Sequence, residues 1–270
     1  MRLALPLAFM MQTSPKFRYA VRLGYHGSPF SGWQVQPEQR TVQGELESAL
    51  SALTKETVRL HGAGRTDTGV HALNYVAHFE TDQAIDVDEV VFRLQKFLPK
   101  KLTIYEMCEV TDRFHARFSA TSRAYRYTIR RRPHPFDNDL VWNDTREMDF
   151  DMLQRAAQTL LNNQEYAAFA RSGGNQNGTD CTIFHAEWRQ DGDLWIFEVR
   201  GNRFLRNMVR ALVGTMVELA MGKRTWEEWE ALLQGGTRSD AGQSAPASGL
   251  VFAGVSYENS PFNDRERGGF

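Results

Sequence analysis

Residues 57–79 read T-V-R-L-H-G-A-G-R-T-D-T-G-V-H-A-L-N-Y-V-A-H-F, a polar, glycine-rich centre between two more apolar arms. The arms, Thr57 to His61 and Leu73 to Phe79, read as strands, so the centre is a loop joining two strands of one sheet. Within it, Gly62, Gly64 and Gly69 let backbone and ligand approach closely, while Arg65 and Asp67 supply one fixed charge of each sign. Such a loop suits substrate binding. The plain alternative is a tight turn whose Arg65 and Asp67 form a solvated pair.

Outward from this loop the periodicity lays down an ordered series. Phe17, Tyr19, Val21, Leu23 and Tyr25 alternate with Arg18, Ala20, Arg22 and Gly24, the mark of a half-buried strand. Val42, Leu46, Ala49, Leu50 and Leu53 fall at helical spacing behind Thr41 as N-cap. Asp86 and Glu89 open a second helix like a capping box; it carries Val90, Val91, Leu94, Phe97 and Leu98 and ends at Pro99. Leu102 to Val110 returns as a strand, giving β-α-β-β-α-β.

The second half follows the same order without recognisable identity to the first. Tyr125, Tyr127 and Ile129 share a strand face; Leu153, Ala156, Ala157, Leu160 and Leu161 mark a helix; Ile183 to Trp188 and Leu194 to Val199 form a hairpin across Asp191-Gly192-Asp193. Leu205, Val209, Leu212, Val213, Met216 and Val217 stripe a long helix ending at Gly222, Thr225 with Glu228 caps another, and Leu250 to Tyr257 is the last strand. The expected fold is therefore α+β: two tandem β-α-β-β-α-β halves of ferredoxin or RRM type, residues 16–113 and 114–260. Their sheets should be antiparallel, with helices on one face and the other face free for a large ligand. Residues 173–180, 234–248 and the tail after Tyr257 read as loops or frayed chain.

Composition narrows the class. With 32 Lys+Arg against 33 Asp+Glu, attraction to an anionic partner must come from local patches. The two cysteines, Cys108 and Cys181, form no C-x-x-C pair, and the histidines show no ligand spacing, so neither a disulfide framework nor a metal site is expected. The leading Met1-to-Phe9 run has a trace of signal-peptide character but is broken by Pro6, and Met10 or Met11 is a candidate start. With no apolar run long enough to span a membrane, a cytoplasmic location is expected.

Positive charge is concentrated in two places. Arg113, Arg117, Arg123, Arg126, Arg130, Arg131 and Arg132 occur without an acidic residue between them, interleaved with Phe114, Phe118, Tyr125 and Tyr127. Arginines grip phosphates bidentately and aromatics stack on unpaired bases, an RNA-binding composition. In the second cluster, Arg203, Arg206 and Arg210 are spaced i, i+3, i+7 as on one helical face, which a solvated surface would also explain. Arg210 differs: at the border of the apolar stripe, it needs a buried partner.

Together, G-R-T-D-T-G-V-H-A at 64–72, R-F-H-A-R-F-S-A-T-S-R-A-Y-R-Y at 113–127, G-N-R-F-L-R-N-M-V-R at 201–210 and A-P-A-S-G-L at 245–250 resemble the tRNA pseudouridine synthase A family, in order, from Lys16 to Tyr257. The resemblance implies a pseudouridine synthase core that converts uridine to pseudouridine at positions 38, 39 and 40 of the tRNA anticodon stem-loop, as a homodimer without cofactor or metal. It also implies roles: Asp67 as catalytic carboxylate, Tyr125 as active-site tyrosine, Arg210 as partner of the carboxylate, Arg65 as replacement for the extruded base, and Leu250 as apolar packing in the pocket. Arg117, Arg123, Arg126 and His115, inside the second motif, complete the expected substrate-binding set. Two other classes fit less well. An RRM-like binding module has no use for a carboxylate in its loop, and a phosphate cradle at residues 62–69 lacks the Gly-Lys-Ser/Thr ending and precedes a strand.

Overall fold

The computed structural model describes residues 17–171 and 178–262. The candidate start methionines, most of the 173–180 loop and the end of the tail lie outside the described residues. Nine strands form one sheet in the order β4-β1-β3-β9-β5-β8-β7, with β2 on β3 and β6 on β5. In the first half β1 is Phe17–Tyr25, β2 His61–Gly62, β3 His71–Thr81 and β4 Leu102–Val110, with α1 at Val42–Thr54 and α2 at Val87–Phe97. In the second, β5 is Ala120–Arg130, β6 Trp142–Asn143, β7 Ile183–Asp191, β8 Leu194–Gly201 and β9 Leu250–Tyr257, with α3 Phe150–Thr159, α4 Met208–Ala220 and α5 Trp226–Leu233. Counting the four main strands of each half separately, both have the order 4-1-3-2: β4-β1-β3-β2 and β9-β5-β8-β7.

The predicted α+β class is what the structure shows, but the halves share one sheet and are not two separate ones. They join where His71 and Ala72 of β3 lie parallel to Val251 and Phe252 of β9; every other main-path pairing is antiparallel. The same edge of β3 receives β2 further along, at His78 and Ala77. The loop 63–70 thus leaves β2 and re-enters β3 at the seam between the halves. Two apolar cores flank it. One packs Val21 and Leu23 of β1 against Leu46, Leu50 and Leu94 of the helices, and the other packs Tyr127 and Ile129 against Leu153, Leu212 and Val213. Each borrows one buried residue across the seam, Phe252 into the first and Val70 into the second.

Local chemistry explains where elements begin. The Thr41 hydroxyl accepts from Gly44 N–H, the Asp86 carboxylate from Glu89 N–H, and Thr225 with Glu228 completes a reciprocal capping box. Two expectations are corrected. Residues 57–60 are not a strand: Val58 N–H donates to Ser51 Oγ at 2.9 Å and Leu60 N–H to Glu47 Oε1 at 2.8 Å, so side chains of α1 take the bonds a sheet neighbour would. Only His61 and Gly62 pair with β3. The long helix begins at Met208, not Leu205, because Asn207 turns the chain through φ 64°, outside the helical region. Arg203, Arg206 and Arg210 therefore do not share one helical face.

Candidate active site

Asp67 sits in a loop fastened at several points. Trp33 N–H donates to Thr66 O at 3.2 Å, the Thr66 hydroxyl bonds the buried Tyr25 hydroxyl at 2.8 Å, and Val70 N–H closes back on Asp67 O at 3.1 Å. The Tyr75 hydroxyl donates to Gly64 O, and Gly27 N–H donates to His71 Nδ1 at 2.9 Å where the loop becomes β3. Gly69 takes φ 80°, which a side chain would strain. The carboxylate itself stays 27% exposed, reachable by a substrate.

Helix α4 brings the counter-charge. Every residue of α4 except Arg210 and Glu218 is buried, and both face the 238–245 segment. A Cβ on Gly214 would collide with the backbone of Gln243 and Ala245, so this glycine lets the segment lie against the helix. Arg210 Nε then donates to Ala245 O at 2.7 Å, while Ala245 N–H donates to Arg210 O at 2.9 Å. Held at both ends, Arg210 places Nη1 3.4 Å from Asp67 Oδ2. The partner that Arg210 required is Asp67, half-buried and not fully buried. Arg206 also reaches the carboxylate, with Nε 4.0 Å from Oδ1, but remains 56% exposed. In sequence Arg206 belongs only to a basic cluster that a solvated face would also explain; its one signal is its place four residues before Arg210.

Tyr125 stands beside this pair on β5, its ring edge-on to Phe204 at 5.0 Å and to Phe252 at 5.2 Å. Burial pushes its phenol far up from the usual tyrosine value; the Arg123 charge opposes the shift and the nearby Asp67 charge adds to it. Leu250 is buried at the start of β9, opposite Tyr127. Arg65 is exposed two residues before Asp67, with no ion pair among the described residues. Tyr125 and Leu250 share the sheet face of Tyr127, which packs on α3 and α4, and Arg210 projects from α4.

The remaining expected substrate contacts are placed differently. Arg123 turns its guanidinium onto four carbonyls: Ala120 O at 3.1 Å, Asn202 O at 2.9 Å, Ala63 O at 3.3 Å and Arg117 O. It thus ties the base of the Asp67 loop to β5 and to the approach to α4. Arg126 pairs with Glu198 at 3.1 Å on the neighbouring strand, facing away from Tyr125. His115 and Arg117 lie on the turn before β5, near His61. Among the wider arginine run, Arg130 is buried and Arg131 lies over Trp195 at 4.4 Å.

A carboxylate held between guanidinium groups, beside a buried phenol and an exposed arginine, suits an enzyme that works on a nucleic acid base. The family model described as tRNA pseudouridine synthase matches residues 23–119 and 156–258. Over 246 residues the chain is 39% identical to the tRNA pseudouridine synthase A of Parabacteroides distasonis, covering 91% of this chain and 98% of that one. It is 40% identical over 254 residues to that of Rippkaea orientalis, covering 93% and 87%, and 37% identical over 247 residues to that of Bacteroides fragilis, covering 91% and 98%. The chain belongs to the tRNA pseudouridine synthase family, isomerases of uridine in tRNA. No helix among the described residues is long and apolar enough to cross a membrane.

Proposed function

We propose that this protein isomerises uridine to pseudouridine at positions 38, 39 and 40 of the tRNA anticodon stem-loop, with Asp67 as its catalytic carboxylate. The observation that carries the role of Asp67 is its placement: a partly exposed carboxylate at the seam of the sheet, with Arg210 Nη1 at 3.4 Å and Arg206 Nε at 4.0 Å.

The reaction breaks N1–C1′, rotates the base, and joins C5 to C1′; the proton lost from C5 is balanced by one gained at N1. Nothing is oxidised or hydrolysed, so the chemistry asks for no cofactor. Asp67 has three possible parts, attack on the sugar, attack on the base, or removal of the C2′ proton, and each needs an ionised oxygen facing the nucleotide. Arg210, tethered to Ala245 O, keeps that oxygen paired and aimed. A stem nucleotide must first leave its stack at a cost of a few kcal/mol, and exposed Arg65 fills the gap. Tyr125 stacks under the extruded base, with Leu250 closing the apolar floor. The phenol, kept protonated by burial, can donate a hydrogen bond to the base.

Arg123 serves this site as a brace, since its guanidinium is spent on backbone carbonyls, and Arg117 and His115 meet the RNA outside the pocket. The same reading has the enzyme act in the cytoplasm as a homodimer, each tRNA touching both chains, because an L-shaped tRNA outreaches one subunit.

The test is tritium release from tRNA labelled at uridine C5, using otherwise identical tRNAs with a single anticodon-stem-loop uridine at 38, 39 or 40. Label freed from all three supports the reading; label retained in all three, with release from uridines elsewhere, would overturn it.

A further inference from the structure

Four aromatic residues are interleaved with the arginines of residues 113–132, and the structure treats them differently. Phe114 and Tyr127 are buried and Tyr125 belongs to the pocket, but Phe118 is 74% exposed. An exposed phenylalanine is ordinary on a loose loop. This one stands on a rigid turn.

His115 anchors the turn. Its Nδ1 accepts from Arg117 N–H at 3.1 Å and from Phe118 N–H at 3.3 Å, while Ser119 N–H donates to His115 O at 2.9 Å. Burial and the neighbouring His61 charge lower the His115 pKa, which keeps that nitrogen an acceptor at neutral pH. Ala116 between them is fixed from both sides, its N–H donating to buried His78 Nδ1 at 3.1 Å and its carbonyl accepting from the Tyr257 hydroxyl at 2.8 Å. The rings form a ladder from interior to surface: His78 to His115 at 4.5 Å, then His115 to Phe118 at 4.3 Å. The last rung is 74% exposed, and the Arg117 guanidinium lies over its ring, 5.5 Å from the centre.

Position and charge say what belongs there. The Arg123 side chain holds Arg117 O and Ala63 O together, so the turn abuts the strand end from which the Asp67 loop departs. Arg113 and Arg117 are exposed and have no carboxylate partner among the described residues. A flat apolar ring with unneutralised guanidinium groups beside it matches a base attached to its phosphates. We infer that Phe118, backed by His115 and flanked by Arg117, is a stacking subsite for an unpaired nucleobase of the tRNA, outside the pocket that takes the target uridine. The inference rests on tRNA being the substrate and not on the role of Asp67.

Binding of unmodified tRNA to Phe118→Ala and Phe118→Trp, each in full-length protein carrying Asp67→Asn so that no turnover intervenes, tests it. Loss of one base–aromatic stack weakens binding by between about fivefold and about a hundredfold, so Phe118→Ala should fall in that range while Phe118→Trp binds like the parent. In the active background, Phe118→Ala should raise KM by a similar factor with kcat nearly unchanged, and its melting temperature should match wild type because the ring is exposed. Equal tRNA affinity for all three proteins would overturn the subsite. So would sedimentation showing that Phe118→Ala splits an oligomer, which would make the ring a contact between copies of the chain. Turnover by Asp67→Asn would refute the catalytic reading alone and leave the binding comparison of alanine with tryptophan intact.

Discussion

The two halves share the order 4-1-3-2, yet they treat their second strand in opposite ways. In the second half β7 is nine residues long, joined to β8 by a tight turn at Gly192. In the first, β2 is two residues long, and the eight positions from 63 to 70 that separate it from β3 carry Arg65 and Asp67. The half that gave up pairing presents the loop to which we assign the chemistry; the half that kept it supplies the rigid helix from which Arg210 projects. Reactive groups need backbone that is fixed but not absorbed into a ladder, and here side chains such as Tyr25 and Tyr75 do the fixing.

That contrast can be broken at several points. Arg210→Ala removes the counter-charge the second half lends to the first. It should lower kcat by about two orders of magnitude, ~2.7 kcal/mol, while Arg206 keeps some attraction on Asp67. Single-turnover kinetics would show it, and an unchanged chemical step would assign Arg210 to structure alone. A gentler probe is Gly27→Ala. The new Cβ would fall 2.5 Å from the Val70 carbonyl carbon and 2.7 Å from that of Gly69, pushing the loop from below. Overpacking of this kind costs about 1–3 kcal/mol, and here it should also depress kcat, read from a denaturant melt beside an activity assay.

Acid should also act on the first half. His71 and His78, both on β3, have pKa values lowered by burial to about 4 and about 3 from 6.5. The folded protein therefore keeps them neutral where the unfolded chain binds protons. Their contribution is complete above about pH 6.5 and is lost as pH falls toward 4 and 3, at no more than about 1.4 kcal/mol per pH unit for each. Hydrogen exchange between pH 7 and 5 should show β3 loosening before β7 and β8; the reverse order would contradict this. Smallest is Gly192→Ala in the tight turn, where φ is 57° and nothing lies within 4 Å of the added carbon. It should cost about 1 kcal/mol of stability and leave kcat unchanged.

Much of this was legible in the sequence because it is written in local signals. The caps at Thr41, Asp86 and Thr225 and the hairpin at Gly192 depend on neighbours a few residues apart, and all four are present. Arg210 announced itself by its place on an apolar stripe. What escaped depends on distant residues. Nothing within residues 57–60 says that Ser51 and Glu47 will take their amide bonds, so a strand was expected there. Likewise the four carbonyls around Arg123 come from segments up to 79 residues away, and Glu198, which claims Arg126, lies three strands later in sequence. An arginine run reads as one surface in sequence, whereas the pleat sends alternate residues to opposite faces.

The central claim is that Asp67 performs the isomerisation, and Asp67→Asn tests it most directly. The amide keeps the shape of the carboxylate but is neither nucleophile nor base at neutral pH. With uridine-labelled tRNA at saturating enzyme, the variant should bind within a small factor of wild type and release no tritium over times in which wild type completes the reaction. Release at a rate comparable to wild type would move the chemistry to another group and contradict the account.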